Sequence, residues 1–268
     1  MNMLRCLVLI GFVATGAAAQ PAPDSQTRPD SWDNIKIQLF KDAPIAQDNT
    51  FVSLTAPPRA EDAALTPVTM SVHVPKGDTR RVVKLSLVID ENPVPLAGAF
   101  TLGPKADVTS LATRVRVDAY TYIRLIAQLS DGSLHMTKAY VKAAGGCSAP
   151  ATKSPDEANK DLGKMKLRVI ADAGPGRGDF VVMLHHPNNT GMQMDQVTRL
   201  YTLARYVDHL AVYQGDDLVF AVEGGISISE NPNFRVDFAR NGAKSLRVDA
   251  RDIDNTHFHD AWPLASGS

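Results

Sequence analysis

Short runs in which apolar and polar residues alternate recur along most of the chain, and they limit its fold more than any other feature. Val68, Met70, Val72 and Val74 alternate with Thr69, Ser71 and His73. Val83, Leu85, Leu87 and Ile89 repeat the pattern and run into a turn cluster, Asp90-Glu91-Asn92-Pro93. Successive side chains of a strand point to opposite faces, so period-two runs bounded by turn residues are half-buried strands. Thr113 to Asp118, Tyr122 to Leu129 and Leu134 to Ala143 read as further strands, the last two joined by a hairpin turn at Asp131-Gly132.

A second set follows. Met165, Leu167 and Val169 alternate with Lys166 and Arg168, and Phe180 to Leu184 come after a Gly-Pro-Gly turn. Tyr206 to Tyr213 and Leu218 to Val222 form a hairpin around Gln214-Gly215-Asp216, and Phe234, Val236 and Phe238 alternate before Asn241-Gly242 turns the chain into Leu246 to Ala250. Many short strands without a long helix predict an all-β protein of two immunoglobulin-like β-sandwich domains. Between the two sets, Ser148 to Gly163 is polar and proline-bearing, a flexible linker that could span on the order of 50 Å when extended.

The expected organisation is a signal peptide at 1–19, a lead-in at 20–49, a first sandwich at 50–147, a linker at 148–163, a second sandwich at 164–262 and a tail at 263–268. In the lead-in, Ser31 caps a short helix through Trp32, Ile35 and Phe40, whose aromatic rings are expected to pack on the sandwich that follows. At the N-terminus, Arg5 supplies a basic start, Cys6 to Val13 a short apolar core and Ala17-Ala18-Ala19 a cleavage site before Gln20. Export to the periplasm is the expected outcome. A net charge of −1 gives no basis for binding nucleic acid or an anionic membrane.

Export sharpens the cysteine count. The chain has two cysteines, and Cys6 leaves with the signal, so Cys147 is the one thiol of the mature protein. An odd cysteine in an oxidising compartment forms an intermolecular disulfide, carries a modification, or reacts. The disulfide would make a dimer through Cys147. Gly145 and Gly146 precede it and Pro150 follows, so the expectation is an exposed thiol on a loose arm whose flexibility comes from the two glycines. That arrangement is a covalent group carrier and not a catalyst; the alternative is a buried, inert cysteine.

Other constellations are weaker. His185, His186, His257, His259, Met192 and Met194 could supply ligands to copper, but no regular ligand spacing recurs. The glycine-rich stretch 174–178 lacks the Lys-Ser/Thr ending of a phosphate loop. Asn188-Asn189-Thr190 reads as a surface loop, and Asp195, Asp249, Asp252 and Asp254 as mostly solvated carboxylates with no acid/base pair among them. No cofactor is implied.

The order of certain motifs is more specific. His186-Pro187, Thr190-Gly191, Asp195, the Gly215-Asp216 turn before Val219-Phe220, and Ile226 to Pro232 resemble SoxZ, a subunit of the bacterial sulfur-oxidation carrier. Glu91 to Pro95, Thr113 to Val117 and above all Val141 to Cys147 resemble SoxY, its partner. The whole is similar to fused SoxYZ-like carriers associated with quinoprotein dehydrogenases. The resemblance implies that the two halves pair and that Cys147 holds a sulfur-containing intermediate for periplasmic redox enzymes, whether sulfur-oxidation enzymes or a quinoprotein dehydrogenase and its cytochrome. Ser148-Ala149 stands where SoxY has a trailing Gly-Gly, and Cys147 is internal instead of near a chain end. Two other classes of function remain open at this point, a non-catalytic module docking a quinoprotein dehydrogenase or cytochrome, and a copper-binding protein.

Overall fold

The computed structural model describes residues 31–150, 160–170, 174–195 and 198–264. The expected signal peptide, the start of the lead-in, residues 151–159 of the expected linker and residues 265–268 of the tail lie outside them. A helix, α1 (Ser31–Phe40), comes first and stops where Lys41 takes a left-handed conformation, φ 55°. Eight strands follow: β1 (Ile45–Gln47), β2 (Val52–Thr55), β3 (Thr66–Val72), β4 (Val82–Ile89), β5 (Leu96–Leu102), β6 (Ser110–Val115), β7 (Thr121–Leu129) and β8 (Leu134–Val141). Past the connector come β9 (Met165–Val169), β10 (Arg177–Leu184), β11 (Val207–Gln214), β12 (Asp217–Gly224), β13 (Asn233–Ala239), β14 (Ser245–Asp252) and β15 (His257–Pro263).

The all-β expectation holds, and alternation reports burial faithfully. In β6, every second residue is buried (Leu111, Thr113, Val115), as expected of a strand with one face on the core. β4 and β7 break the alternation because both of their faces are covered. On one face Leu85, Leu87, Ile89, Ile123 and Leu125 join the main core. On the other, Val88 and Ile126 meet Ile35 of α1 and Met136, flanked by Trp32 and Phe40, in line with the packing expected of the lead-in aromatics. Under the same helix, Arg124 grips the buried Asp90 carboxylate with Nε at 2.9 Å from both oxygens, and its guanidinium stacks 4.3 Å from the Trp32 ring.

The sequence predicts two sandwiches side by side; the structure joins them more closely. One sheet has nine strands in the order β1-β8-β7-β4-β5-β12-β11-β14-β15, and the facing sheet six in the order β2-β3-β6-β13-β10-β9. Both sheets therefore run through both halves, with β5 pairing β12 and β6 pairing β13, each antiparallel. Hydrogen-bonding edges that separate sandwiches would leave open are closed by each other. The core is shared too. Phe100 of β5 lies 6.2 Å from Phe234 of β13, which lies 5.7 Å from Phe220 of β12. Gly103 marks how closely the halves approach: a Cβ there would sit 1.7 Å from the Leu218 carbonyl oxygen. Among the described residues, no helix is long and apolar enough to cross a membrane.

Candidate functional site: a clamped cysteine at the junction

β8 hands the chain to residues 143–150 at the place where the two halves meet. Lys142 still bonds as a strand would, its amide to the Pro58 carbonyl and its carbonyl to the Ala60 amide. Beyond it, the segment lies against the end of the β6 strand and its continuation, Arg116 to Asp118. The Gly145 amide donates to the Asp118 carbonyl at 2.7 Å, the Gly146 amide to the Val117 carbonyl at 3.1 Å, and the Cys147 amide to the Asp118 carboxylate at 3.1 Å. The second half closes the clamp: the Thr190 hydroxyl donates to the Cys147 carbonyl at 2.7 Å.

This arrangement corrects the loose-arm expectation. Cys147 is free but fully buried, with 0% of its surface exposed. The glycines do different work from that expected. Gly145 takes a positive φ, 74°, that turns the chain inward. Gly146 has an ordinary φ but no room for a side chain, since a Cβ would sit 2.2 Å from the Ala63 carbonyl oxygen and 2.6 Å from that of Val117. A Gly-Gly pair permits a hinge or a close fit with equal ease, and here it makes the fit. Burial pushes the Cys147 thiol from its ordinary 9.0 up to about 12; the Asp118 carboxylate pushes the same way and the Arg116 guanidinium opposes it. In this conformation the sulfur is a neutral thiol with almost no thiolate character.

Among the described residues, Arg116 is the largest fully buried side chain. Its Nη1 donates to the Gly146 carbonyl at 3.3 Å and its Nη2 to the Asn188 carbonyl at 3.4 Å, so one guanidinium bridges the cysteine segment and the second half. Asn92 supports it from behind, donating to the Arg116 carbonyl and to Ser227 Oγ, both at 2.8 Å, and accepting from the Asp118 amide at 2.9 Å. Asn188 in turn is fixed by Ile228 and Val207 backbone groups and by His186. The His186 ring is buried between Asn188 and Asp252; its Nδ1 accepts the Asn188 amide at 3.0 Å, which leaves Nε2–H to donate to Asp252 at 3.3 Å. Desolvation pulls its pKa below the ordinary 6.5, against the opposing pull of Asp252, so the ring is neutral.

Residues from most of the motifs singled out in the two halves converge here, Asn92, Arg116, Gly146 and Cys147 from the first and His186, Thr190, Ser227 and Ile228 from the second; Asp195 and the Gly215-Asp216 turn before Val219-Phe220 lie outside the cluster. Sequence reasoning passes over Arg116, Asp118, Asn188 and Thr190 as holders of the cysteine; their membership of, or closeness to, those motifs is the one available signal. Two other expectations change. Asn188 and Thr190 are buried instead of lying on a surface loop, and Asp252 is buried and bonded to His186, Arg205 and the Thr256 amide instead of solvated. His257 and His259 share the exposed face of β15, opposite Arg251 and Asp249. Among the described residues, no three His, Cys, Asp or Glu side chains gather as a metal-binding group.

Two family models match the chain. "Sulfur oxidation protein SoxY" covers residues 36–147, its last matched residue being Cys147, and "Sulphur oxidation protein SoxZ" covers residues 173–263. Among solved structures, the sulfur carrier protein SoxY from Chlorobium limicola f thiosulfatophilum is 20% identical over 42% of this chain and 92% of its own, with a TM-score of 0.34. A variant of superoxide reductase (neelaredoxin) from Ignicoccus hospitalis is 14% identical over 35% of this chain and 80% of its own, with a TM-score of 0.31. No curated protein matches the sequence.

Proposed function

The chain is a fused SoxYZ-like protein, a SoxY segment and a SoxZ segment in one polypeptide, and from that premise we propose that it is a periplasmic, non-catalytic carrier that holds a sulfur-containing intermediate covalently on Cys147. One observation carries the reading: the SoxY match runs up to Cys147 and stops there, on the residue that motifs of both halves converge to hold. We assign the first sandwich to 50–147 and the second to 164–262, with the Cys147 segment and its connector between them. Donor and acceptor are periplasmic redox enzymes, either sulfur-oxidation enzymes or a quinoprotein dehydrogenase and its cytochrome. The exported form begins after Ala19.

On this reading the clamped conformation is the resting state of the carrier. A thiol with a pKa of about 12 neither attacks nor is attacked readily, so exchange requires the segment 144–149 to leave its seat. The hydrogen bonds that hold it are ones that water can replace on opening. Each such bond contributes on the order of 1 kcal/mol net, so release is within reach of ordinary local opening.

The full burial of Cys147 favours a second reading, a non-catalytic module that docks a quinoprotein dehydrogenase or cytochrome, with Cys147 as packing. Mass spectrometry of protein taken gently from its native periplasm separates the two. The carrier reading expects a sulfur-containing adduct on Cys147 that disappears in Cys147→Ser. An unmodified thiol in protein isolated during active sulfur metabolism, with partner binding intact in Cys147→Ser, overturns it.

A further inference from the structure

A buried positive charge stands at the cysteine seat with no anion in contact. Arg116 is 1% exposed, and an arginine keeps its proton in a protein. Its guanidinium carries more donors than it uses. Nη1 and Nη2 each reach one carbonyl, of Gly146 and Asn188, at the long distances of 3.3 and 3.4 Å. Nε is buried and has no hydrogen-bond partner among the described residues. Glu230 and Asp62 act on the group through their charge and make no hydrogen bond to it. The other buried arginine on a strand, Arg124, is the contrast: its Nε bonds both Asp90 oxygens and its Nη2 lies 2.8 Å from one of them. An unmet donor on a buried cation is costly, and such a group calls for an explanation.

The position of this donor is specific. The Gly146 carbonyl on Nη1 belongs to the peptide bond that leads into Cys147, and the guanidinium charge is felt at the thiol itself. The rest of Arg116 does not depend on the cysteine segment. Its amide donates to the Ser227 carbonyl at 2.7 Å, its own carbonyl accepts from Asn92 at 2.8 Å, and Nη2 is tied to Asn188. Lifting the segment 144–149 therefore removes the partner of Nη1 and leaves the guanidinium where it is. Nearby carboxylates, Asp62, Asp118 and Glu230, set the local field against free anions. An attraction to Arg116 is thus one of contact, open to a group that is delivered to the guanidinium on a tether.

We propose that Arg116 is the residue that recognises the outer end of the group carried on Cys147, taking an oxyanion there in preference to an uncharged end. The inference rests on the carrier reading above. Guanidinium N–H groups make short, charge-assisted bonds to oxyanions, and Nε with Nη1 supplies them once the segment has lifted. Attachment to the residue after Gly146 gives the oxyanion an effective concentration at Arg116 of millimolar order or more, which offsets the opposing field. An uncharged end, such as a methylthio group, offers these donors nothing. Cargo ending in an oxyanion is consequently held against the protein until a partner enzyme displaces it, whereas uncharged cargo hangs free.

The test loads the full chain with two groups that differ in charge. With tetrathionate, the Cys147 thiolate, its proton lost to buffer, attacks a central sulfur. The central S–S bond breaks, thiosulfate leaves with the electron pair, and Cys147 carries –S–SO3⁻. With methyl methanethiosulfonate, the thiolate attacks the methylthio sulfur, methanesulfinate leaves with the electron pair, and Cys147 carries –S–CH3. The Arg116 Nε–H signal, assigned through the bonds of its own side chain, is followed by proton–nitrogen correlation NMR. Its exchange with solvent is expected to be about 10–150-fold slower in the –S–SO3⁻ form than in the –S–CH3 form, the range for one hydrogen bond to a charged group. Exchange within about twofold in the two forms overturns the proposal. Loading rates of Arg116→Gln give a reading independent of its bridging role, since both reagents need the same opening. The rate with tetrathionate is expected to fall at least about tenfold relative to that with methyl methanethiosulfonate. A merely structural Arg116 changes both rates by one factor, and that result overturns the proposal. If Arg116→Gln does not fold, the NMR comparison on the parent decides alone. A parent that takes up neither reagent overturns the carrier reading; one that takes up both with the same Arg116 signal overturns this inference and leaves that reading standing.

Discussion

Gly146→Ala tests the clamp most directly, because the obstacle to a side chain there is backbone on two sides. The added methyl would sit 2.2 Å from the Ala63 carbonyl oxygen and 2.6 Å from that of Val117, and neither can rotate away. The seated conformation is lost, and with it the bonds from Gly145, Gly146 and Cys147 to Asp118 and Val117 and from Thr190 to Cys147. The released thiol returns from about 12 toward its ordinary 9.0. The parent reacts only when the segment leaves its seat, so the gain is the inverse of its opening equilibrium: the bonds made by the Gly145, Gly146 and Cys147 amides and those received from Arg116 and Thr190, at about 0.5–1 kcal/mol each, put opening at about 2.5–5 kcal/mol. The expected rate of reaction with an aromatic disulfide reagent is therefore at least about 70-fold above the parent at pH 7. Gly145→Ala is the control. Its Cβ would meet only Ser148 Oγ at 3.8 Å, so the cost is that of a positive φ in a non-glycine residue, about 1–2 kcal/mol. The expected acceleration there is smaller, on the order of 5–30-fold, and arises from easier opening alone. Stopped-flow or absorbance kinetics against pH reads both. If Gly146→Ala reacts within threefold of the parent with an unmoved pH profile, the clamp is not what silences Cys147.

The remaining predictions concern the framework. Arg124→Met leaves the Asp90 carboxylate buried, where desolvation already raises its pKa against the pull of Arg124, and should cost about 3–5 kcal/mol, or roughly 10 °C in thermal melting, with partial recovery in Arg124→Met/Asp90→Asn. Stability should also fall with acid. His186 is held neutral with a folded pKa below 6.5, so below about 6.5 the unfolded chain takes up a proton that the native one refuses; Asp252, whose bonds to Thr256, Arg205 and His186 outweigh its burial and lower its pKa, adds a loss from about 3.8 downward. Urea midpoints measured from pH 7 to pH 5 should decline, and the decline should flatten in His186→Gln; a midpoint that rises over that range contradicts the burial of the neutral ring.

Much of the strand plan is legible because alternation reports a one-sided core. Val68 to Val72 and Phe234 to Phe238 fall in strands for that reason. β5 (Leu96–Leu102) escapes because Leu96-Ala97-Gly98-Ala99-Phe100 has no period: it is central in the wide sheet and small residues let its neighbours pack close. The merging of the halves is equally invisible, since a strand's sequence records which face is buried but not which strand lies beside it. Cys147 is found by elimination, yet its surroundings are not. Two glycines read as slack, whereas Gly145 supplies an inward turn and the missing side chain of Gly146 lets the Ala63 and Val117 carbonyls crowd the segment. The clamp itself is built from long-range pairs, Arg116 with Asn188 and Thr190 with Cys147, whose spacing along the chain carries no period to detect.

The ladders that cross from one half into the other have a consequence for how the molecule comes apart. Severing the peptide between Pro150 and Lys160 would yield two fragments on a denaturing gel but one particle in solution, since β5–β12 and β6–β13 remain zipped and Phe100, Phe220 and Phe234 remain interlocked. Expressing either fragment alone would bare two adhesive borders at once, so neither is a useful miniature of the whole. The nicked protein should melt in a single cooperative step, and the cysteine would then hang from a free end while still seated where both pieces meet.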